Sequence, residues 1–581
     1  MALFPPEFLA GMLLAFVQLR LRSHFSLASW LVNGLTFFLP PEDELIATLN
    51  GQPAAAKGSK AAKAPVGQPL SAAEKMDKFY VRVAKTEPGV FSQTLFFELY
   101  EMLVVLVSSA SLGCCFGSLV AFTAPWFGPA GDNMADDKVD VATYGLMSAM
   151  LVALWFPLQL NFAQGWSGYE ARLGLSMGFI GLIVSGFFIL SPEGMLDFDL
   201  ELAAQLAGQR VAMVLRAVGF TDADFVNIAP LAEMARVTLF VTFAVFAGIF
   251  TCTTFLPSFR FARMYSELIK DKQTSTVMKL LLHLNMFFLV LTCALWVPRL
   301  SSNVLVPAEL VKCSPRALTR DCQESEVLGL TNEASSDVWK WYSLTESQFH
   351  TLRIYVVLVT CLVRLLCFRT HLQHFLLEPR EVMASLVGRP GFVDGALLQS
   401  KVRLQFNYVP IIALQYLAPV CALLASAQLL MKQTATPLGI FKGVSWILQR
   451  VAPNVSIPAS LTPEGLNEAT LNVLPDPTAL PNLGGFRLGD DLNKENVTPF
   501  LRGMSQFPIL TAEFYESALG FFVWFLSFTM FAVSLAGLIY WRNVAAHGSS
   551  DVEQTAVRQN KQTPKTLKNQ LKGLKLQKKN K

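Results

Sequence analysis

Residues 99–126 read LYEMLVVLVSSASLGCCFGSLVAFTAPW, and Glu101 is the only charged residue among them. At about 1.5 Å per residue, a helix of that length outreaches the ~30 Å hydrocarbon layer of a bilayer, so the stretch predicts a membrane span. Eight more apolar stretches recur, over residues 4–19, 144–162, 173–190, 235–256, 277–297, 352–368, 406–431 and 514–541. Together they predict an all-α, polytopic transmembrane helical bundle of about nine spans, with short interfacial helices.

Composition points the same way. Of 581 residues, 15% are charged and 52% hydrophobic, and mean hydropathy is +0.42. A soluble globule with that balance would expose apolar surface it could not cover, so the lipid bilayer is the expected solvent and first partner. The net charge of +4 is small, and no basic surface interleaved with aromatics appears, which argues against a nucleic-acid partner. The expected organisation is a first span and interfacial helix in residues 1–50 and a flexible basic linker in 51–95. A membrane domain follows in 96–542, with longer exoplasmic loops at 299–349 and 432–513, and then a disordered Lys-rich tail in 543–581.

Lys and Arg in short loops resist translocation and so fix orientation. Nine basic residues from Arg20 to Lys85 follow the first stretch, which places that loop in the cytosol. The next loop carries Asp132, Asp136, Asp137 and Asp140 against Lys138, and the loop after residue 190 is also acid-rich; both are expected outside. Arg260, Arg263, Lys270 and Lys272, and later Arg369, Arg380, Arg389, Lys401 and Arg403, return the chain to the cytosol. Parity leaves the carboxyl terminus cytosolic, in an integral multi-pass protein of the endoplasmic reticulum or plasma membrane. The final Lys578-Lys579-Asn580-Lys581 resembles a dilysine retrieval signal.

The first stretch ends in Arg20-Leu21-Arg22, where a cleavage site would need small residues, so it is expected to remain as an anchor. Residues 27–39 are amphipathic and short for a span. A hairpin with the first stretch would give ten spans but strand Arg20 and Arg22 outside, so a helix on the cytosolic interface anchored by Trp30 is preferred. Residues 196–218 and 438–451 read as two further surface helices, both outside. The sequons at Asn454 and Asn496 fall in an exoplasmic loop and are candidate N-glycosylation sites. Cys313 and Cys322 share another such loop and form either a disulfide or two free thiols. The other cysteines lie in spans and read as packing residues.

Charge inside a bilayer is costly, so each such residue carries both a functional and a structural reading. Arg353 and Arg364 are eleven residues apart, about three turns, and share a helix face with His350, Thr360, Cys361 and His371. The functional reading is a polar pathway or anion-coordinating groove. The structural one, preferred because Arg364 stands about 6–9 Å from the expected span end, is that the arginines snorkel or pair with an acid. Glu101 lies at the expected depth of Arg364, which suggests an ion pair. His283 and Asn285 are candidates for cation coordination, proton relay or interhelical hydrogen bonds, and Gln415 could satisfy the carbonyl freed by Pro419. Glu101, His283, Asn285, Arg353, Arg364 and Gln415 form the candidate intramembrane cluster. Gly113 and Gly117, and Gly174, Gly178, Gly181 and Ser185, mark faces for close helix packing. No HExxH, GxSxG, phosphate-loop or paired-carboxylate motif appears, so neither catalysis nor a cofactor or metal is expected.

Several segments carry a resemblance. They are Ser23-His-Phe-Ser-Leu-Ala-Ser-Trp30-Leu with Glu42-Asp-Glu-Leu45, Phe259-Arg-Phe-Ala-Arg-Met264, and Leu281-Leu-His283-Leu-Asn285 closing with Leu295-Trp-Val-Pro298. Phe349-His-Thr-Leu-Arg353, Arg364 with Arg369-Thr-His371-Leu-Gln373, and Leu414-Gln-Tyr-Leu-Ala-Pro419 continue the series. In order and spacing they resemble the transmembrane protein 161 family. The likeness implies a multi-pass membrane protein without an agreed biochemical activity, associated with electrical rhythm in excitable tissue, development and tolerance of oxidative stress. The expected function is a non-enzymatic scaffold or regulatory subunit acting on ion currents or membrane homeostasis through membrane-protein partners. The alternative is an ion channel or transporter lined by the polar cluster.

Overall fold

A computed structural model describes residues 6–22, 24–50, 70–87, 89–127, 141–163, 168–191, 195–198, 200–218, 222–272, 274–306, 344, 346–388, 391–434, 439–451 and 514–543. The chain is an all-α polytopic bundle. It begins with α1 (Pro6–Leu21), α2 (Leu27–Val32), β1 (Thr36–Phe38), α3 (Asp43–Leu49), α4 (Ala72–Lys78) and β2 (Val83–Lys85). Next come α5 (Phe97–Phe127), α6 (Val141–Phe162), α7 (Tyr169–Ile189), α8 (Leu200–Val218), α9 (Asp222–Lys270) and α10 (Thr276–Leu295). The last elements are α11 (Glu346–Leu377), α12 (Pro379–Val387), α13 (Gly395–Asn407), α14 (Val409–Thr434), α15 (Lys442–Val451) and α16 (Phe514–Asn543).

Among the described residues, eight helices are long and apolar enough to cross a membrane, and they match every expected span but the first. The first is α1, whose 16 residues reach about 24 Å. It lies antiparallel along α5: Lys432 holds Glu7 at one end and Glu101 holds Arg22 at the other. The GxxxG face makes the close approach, since a Cβ on Gly113 would stand 2.7 Å from the Glu7 carbonyl and one on Gly117 would overlap the Glu7 side chain.

Burial orders the bundle. The window of α14 is 89% buried and that of α7 only 17%, so α14 is the axis and α7 a lipid-facing helix. Small and apolar residues on all sides of α14, such as Ala413, Ala418, Ala422, Leu423 and Ala425, suit it to that central place. It packs against α5, α6, α9 and α11. Helix α7 exposes Phe179, Ile180, Ile183 and Phe187 and turns its glycines to α9. A Cβ on either Gly178 or Gly248 would come within 3.0 Å of the other residue's carbonyl oxygen.

Three expectations change. Residues 27–39 are not one interfacial helix: only Leu27–Val32 is helical, and Thr36–Phe38 pairs antiparallel with Val83–Lys85. Trp30 is exposed, while Ala28 and Val32 pack inward. The expected linker carries structure in its second half, where α4 has a Ser71–Glu74 capping box and β2 completes the hairpin. Phe38, Leu45, Leu49, Met383, Val387, Leu398 and Val402 close a small satellite core beneath them. The spans at 235–256 and 352–368 also continue, as α9 and α11, to Lys270 and Leu377. Their polar ends find partners: Arg369 donates to the Asn33 carbonyl at 2.7 Å, Gln373 brackets the Thr36 backbone, and His374 meets Glu267 at 2.7 Å. The surface helices at 196–218 and 438–451 form as α8 and α15, slightly shorter, with Gly439–Phe441 in 3-10 conformation.

Candidate functional site

The polar residues inside the bundle separate into layers along its axis. At one end Glu101, 6% exposed, accepts from Arg22 at 2.7 Å and from Ser26 Oγ at 2.8 Å. The expected Glu101–Arg364 pair does not form, because Arg22, at the end of the antiparallel α1, reaches the carboxylate first. Near the same end, Arg263 bonds Glu267 at 2.8 Å and also Glu378, and His374 bonds Glu267, tying α9 to α11 and the start of α12.

A second layer joins α6, α7, α9 and α14. Arg260 donates to Gln415 Oε1 at 2.5 Å and to Glu170 at 3.2 Å. Gln415 Nε2 donates to Asn161 Oδ1 at 3.3 Å, and Asn161 Nδ2 to the Cys252 carbonyl at 3.3 Å. Gln415 is therefore committed to neighbouring helices rather than to the carbonyl freed by Pro419. The interhelical network satisfies buried amides that lipid could not.

Arg364, which is 1% exposed, sits at the depth of that layer, since the Phe261 and Tyr416 rings it meets adjoin Arg260 and Gln415 in sequence. The bundle encloses its guanidinium on all sides, so it does not snorkel. Its Cζ lies 5.5 Å from the Tyr416 ring centroid and 5.9 Å from that of Phe261. Tyr416 donates its hydroxyl to the Arg364 carbonyl at 3.1 Å, and His371 stacks on the Tyr416 ring at 4.6 Å. Cation–π contact is worth roughly 0.5–2 kcal/mol per ring, less than the several kcal/mol a desolvated ion costs. Among the described residues, Nε and Nη1 of Arg364 and both amide atoms of the fully buried Asn285 have no hydrogen-bond partner.

Arg353 belongs to the opposite end of the bundle. It pairs with Asp197, donates to the Leu295 carbonyl at 3.0 Å and covers the Phe349 ring at 4.4 Å. His350 and Glu516, 3.5 Å apart, line the same small cleft with Trp296 and Gly520. Between the two arginines, Thr292 and Thr360 share a 3.0 Å bond. His283 stands apart from Asn285: it is exposed, with Nδ1 2.8 Å from the Tyr265 hydroxyl. Cys313, Cys322, Asn454, Asn496 and the Lys-rich tail lie outside the described residues.

The candidate cluster is thus not one site. The structure brings Gln415 to Arg260, keeps Arg364 close to the ring of Tyr416, and sends Glu101, Arg353 and His283 elsewhere. Sequence reasoning passed over Asn161, inside the 144–162 stretch, because nothing in the sequence names its partners, and over Arg260 and Glu170 because the hydropathic runs end before the one and begin after the other. Only the overlong helices α7 and α9 place that pair within the bundle.

The family model described as predicted transmembrane protein 161AB matches residues 133–328 and 333–545, most of the chain. No solved structure matches it. The arginine-bearing stretches of α9 and α11 and the Gln415–Tyr416 pair of α14 all fall inside the matched regions, and the chain belongs to the transmembrane protein 161AB family.

Proposed function

We propose that this chain is a non-enzymatic scaffold or regulatory membrane subunit, acting on ion currents or membrane homeostasis through partner proteins. The observation that carries the reading is a set of ion pairs that tie distant segments of the bundle together, with Arg364 the exception. Arg22, just past α1, meets Glu101 on α5; Arg260 on α9 meets Glu170 on α7; and Arg353 on α11 meets Asp197 in the segment before α8. Paired charges that cross-link helices hold a fixed shape, which suits a surface presented to partners. Orientation with both ends of the satellite core and the carboxyl tail in the cytosol belongs to the same proposal, on the distribution of basic residues.

A channel or transporter is the second reading, favoured by one feature: Arg364 and Asn285 keep unpartnered polar atoms within the bundle. Ion flux into liposomes holding the purified chain separates the two. The scaffold reading expects flux at the level of empty liposomes. Robust flux that Arg364→Ala abolishes while folding is kept would overturn it.

A further inference from the structure

Three observations meet where α9, α10, α11 and α14 adjoin. The first is charge. Glu170 answers Arg260, but no acid among the described residues lies within salt-bridge distance of Arg364, whose guanidinium stands against the Phe261 and Tyr416 rings. The interior there holds one positive charge in excess.

The second is hydrogen bonding. Nε and Nη1 of Arg364 and Nδ2 of Asn285 are buried donors without acceptors among the described residues, and Nδ1 of His371, which stacks on Tyr416, has no partner among them either. Native interiors leave such groups empty rarely, and an ion or water usually answers them.

The third is register. Helices α10 and α11 run antiparallel, with Thr292 bonded to Thr360, Cys367 Sγ 4.0 Å from the Leu281 carbonyl, and Thr370 bonded to Met278. Interpolation between these pairs puts Asn285 at the depth of Arg364. Thr360, Arg364 and Cys367 share a face of α11 at helical spacing, and Asn285 shares the buried face of α10 with Leu282, Leu289 and Thr292. The two orphaned side chains are therefore on facing surfaces.

We propose that Arg364 and Asn285 hold a small monovalent anion of the halide class. One unanswered charge calls for one negative charge. A carboxylate-bearing metabolite or a lipid phosphate is excluded by enclosure, since Arg364 is 1% exposed and the fully buried rings of Phe261 and Tyr416 stand against its guanidinium. A single anion can accept from Arg364 Nε or Nη1 and from Asn285 Nδ2 at once, which answers donors of both orphans together. The site is independent of the scaffold reading, because a bound halide can serve structure as well as transport.

The test uses the full chain in lipid nanodiscs, with bromide and chloride as probes against gluconate at constant ionic strength. Binding to the folded state raises the unfolding midpoint saturably. A rise with chloride and bromide but not gluconate is expected. Asn285→Leu, which keeps the volume of the side chain, should weaken the apparent halide affinity by about tenfold, the effect of losing one hydrogen bond to a charged group. Arg364→Gln should abolish the halide response. No halide-specific rise in the unaltered chain, or a rise preserved in both variants, overturns the proposal. Should Arg364→Gln fail to fold, anomalous diffraction from bromide-grown crystals of the unaltered chain decides: a peak beside Arg364 supports the site, and water density alone there refutes it.

Discussion

Replacing Gly178 by leucine should pry α7 from α9. A Cβ at that position would stand 3.0 Å from the Gly248 carbonyl oxygen and 3.2 Å from Cys252 Cβ, and a backbone carbonyl cannot rotate aside. Neighbouring contacts allow no slide along the axis, because a Cβ on Gly181 would stand 2.1 Å from Thr251 Oγ1. Lipid tails are as apolar as leucine, so the longer side chain gains nothing by burial; what is lost is close van der Waals contact along the interface. Overpacking costs roughly 1–3 kcal/mol, and with two backbones in contact the upper part of that range, about 2–3 kcal/mol, is expected. The assay is denaturant unfolding in micelles, coupled to alkylation of Cys252, which is buried against α7. Phe179→Leu, on the exposed face, serves as a control within about 0.5 kcal/mol. If Gly178→Leu unfolds with the unaltered chain and Cys252 stays unlabelled, the two helices do not touch as described.

Other outcomes follow from particular contacts. Arg353→Met should destabilise by roughly 2–3 kcal/mol, below the 3–5 kcal/mol of a fully buried pair because Asp197 retains 30% exposure, and Asp197→Asn should recover part of it in a double-mutant cycle. In parallel cycles Glu101→Gln should couple to Arg22→Met and be additive with Arg364→Met; coupling to Arg364 instead would contradict the layer assignment. Thr360→Val should cost about 0.6–1.7 kcal/mol in the same unfolding assay, the range for one interhelical hydrogen bond in a membrane protein, and no loss would mean that the Thr292 bond is not made. Hydrogen bonds from the Ser71 backbone and hydroxyl hold the Glu74 carboxyl below its ordinary 4.5. Its contribution to α4 is present above 4.5 and fades as acid takes pH down through the depressed folded value, so amide protection in α4, corrected for the intrinsic exchange rate, should fall there and not at neutral pH.

The greasy runs were readable because one property, length of uninterrupted hydropathy, decides whether a helix can cross lipid. The glycine faces were readable too, since small residues at helical spacing on 113–117 and 174–181 have few uses other than close contact. Span ends were not. Polar residues such as Arg260, Arg369 and Gln373 look like loop residues until their partners are known, and those partners, Gln415, Asn33 and Thr36, lie 155 or more residues away. The β1–β2 hairpin was hidden for the same reason, as its two short strands are separated by α3, α4 and a Gly/Ala/Lys-rich segment. The Glu101–Arg364 expectation failed because nothing in the sequence signals that Arg22, just past α1, folds back onto α5 and takes the Glu101 carboxylate.

Native thiols offer the most direct test of a closed interior. Cys361 and Cys367 flank Arg364 on α11, and each is at most 2% exposed. Treating the chain in liposomes with a small, membrane-impermeant, cationic thiol reagent and locating the adducts by mass spectrometry reads whether water reaches that layer. Pairing of the intramembrane charges and burial of Arg364 predict no adduct at either cysteine until the bundle is unfolded. Rapid modification of Cys361 or Cys367 in the folded chain would mean an aqueous path runs past Arg364, and the closed bundle would be the wrong description.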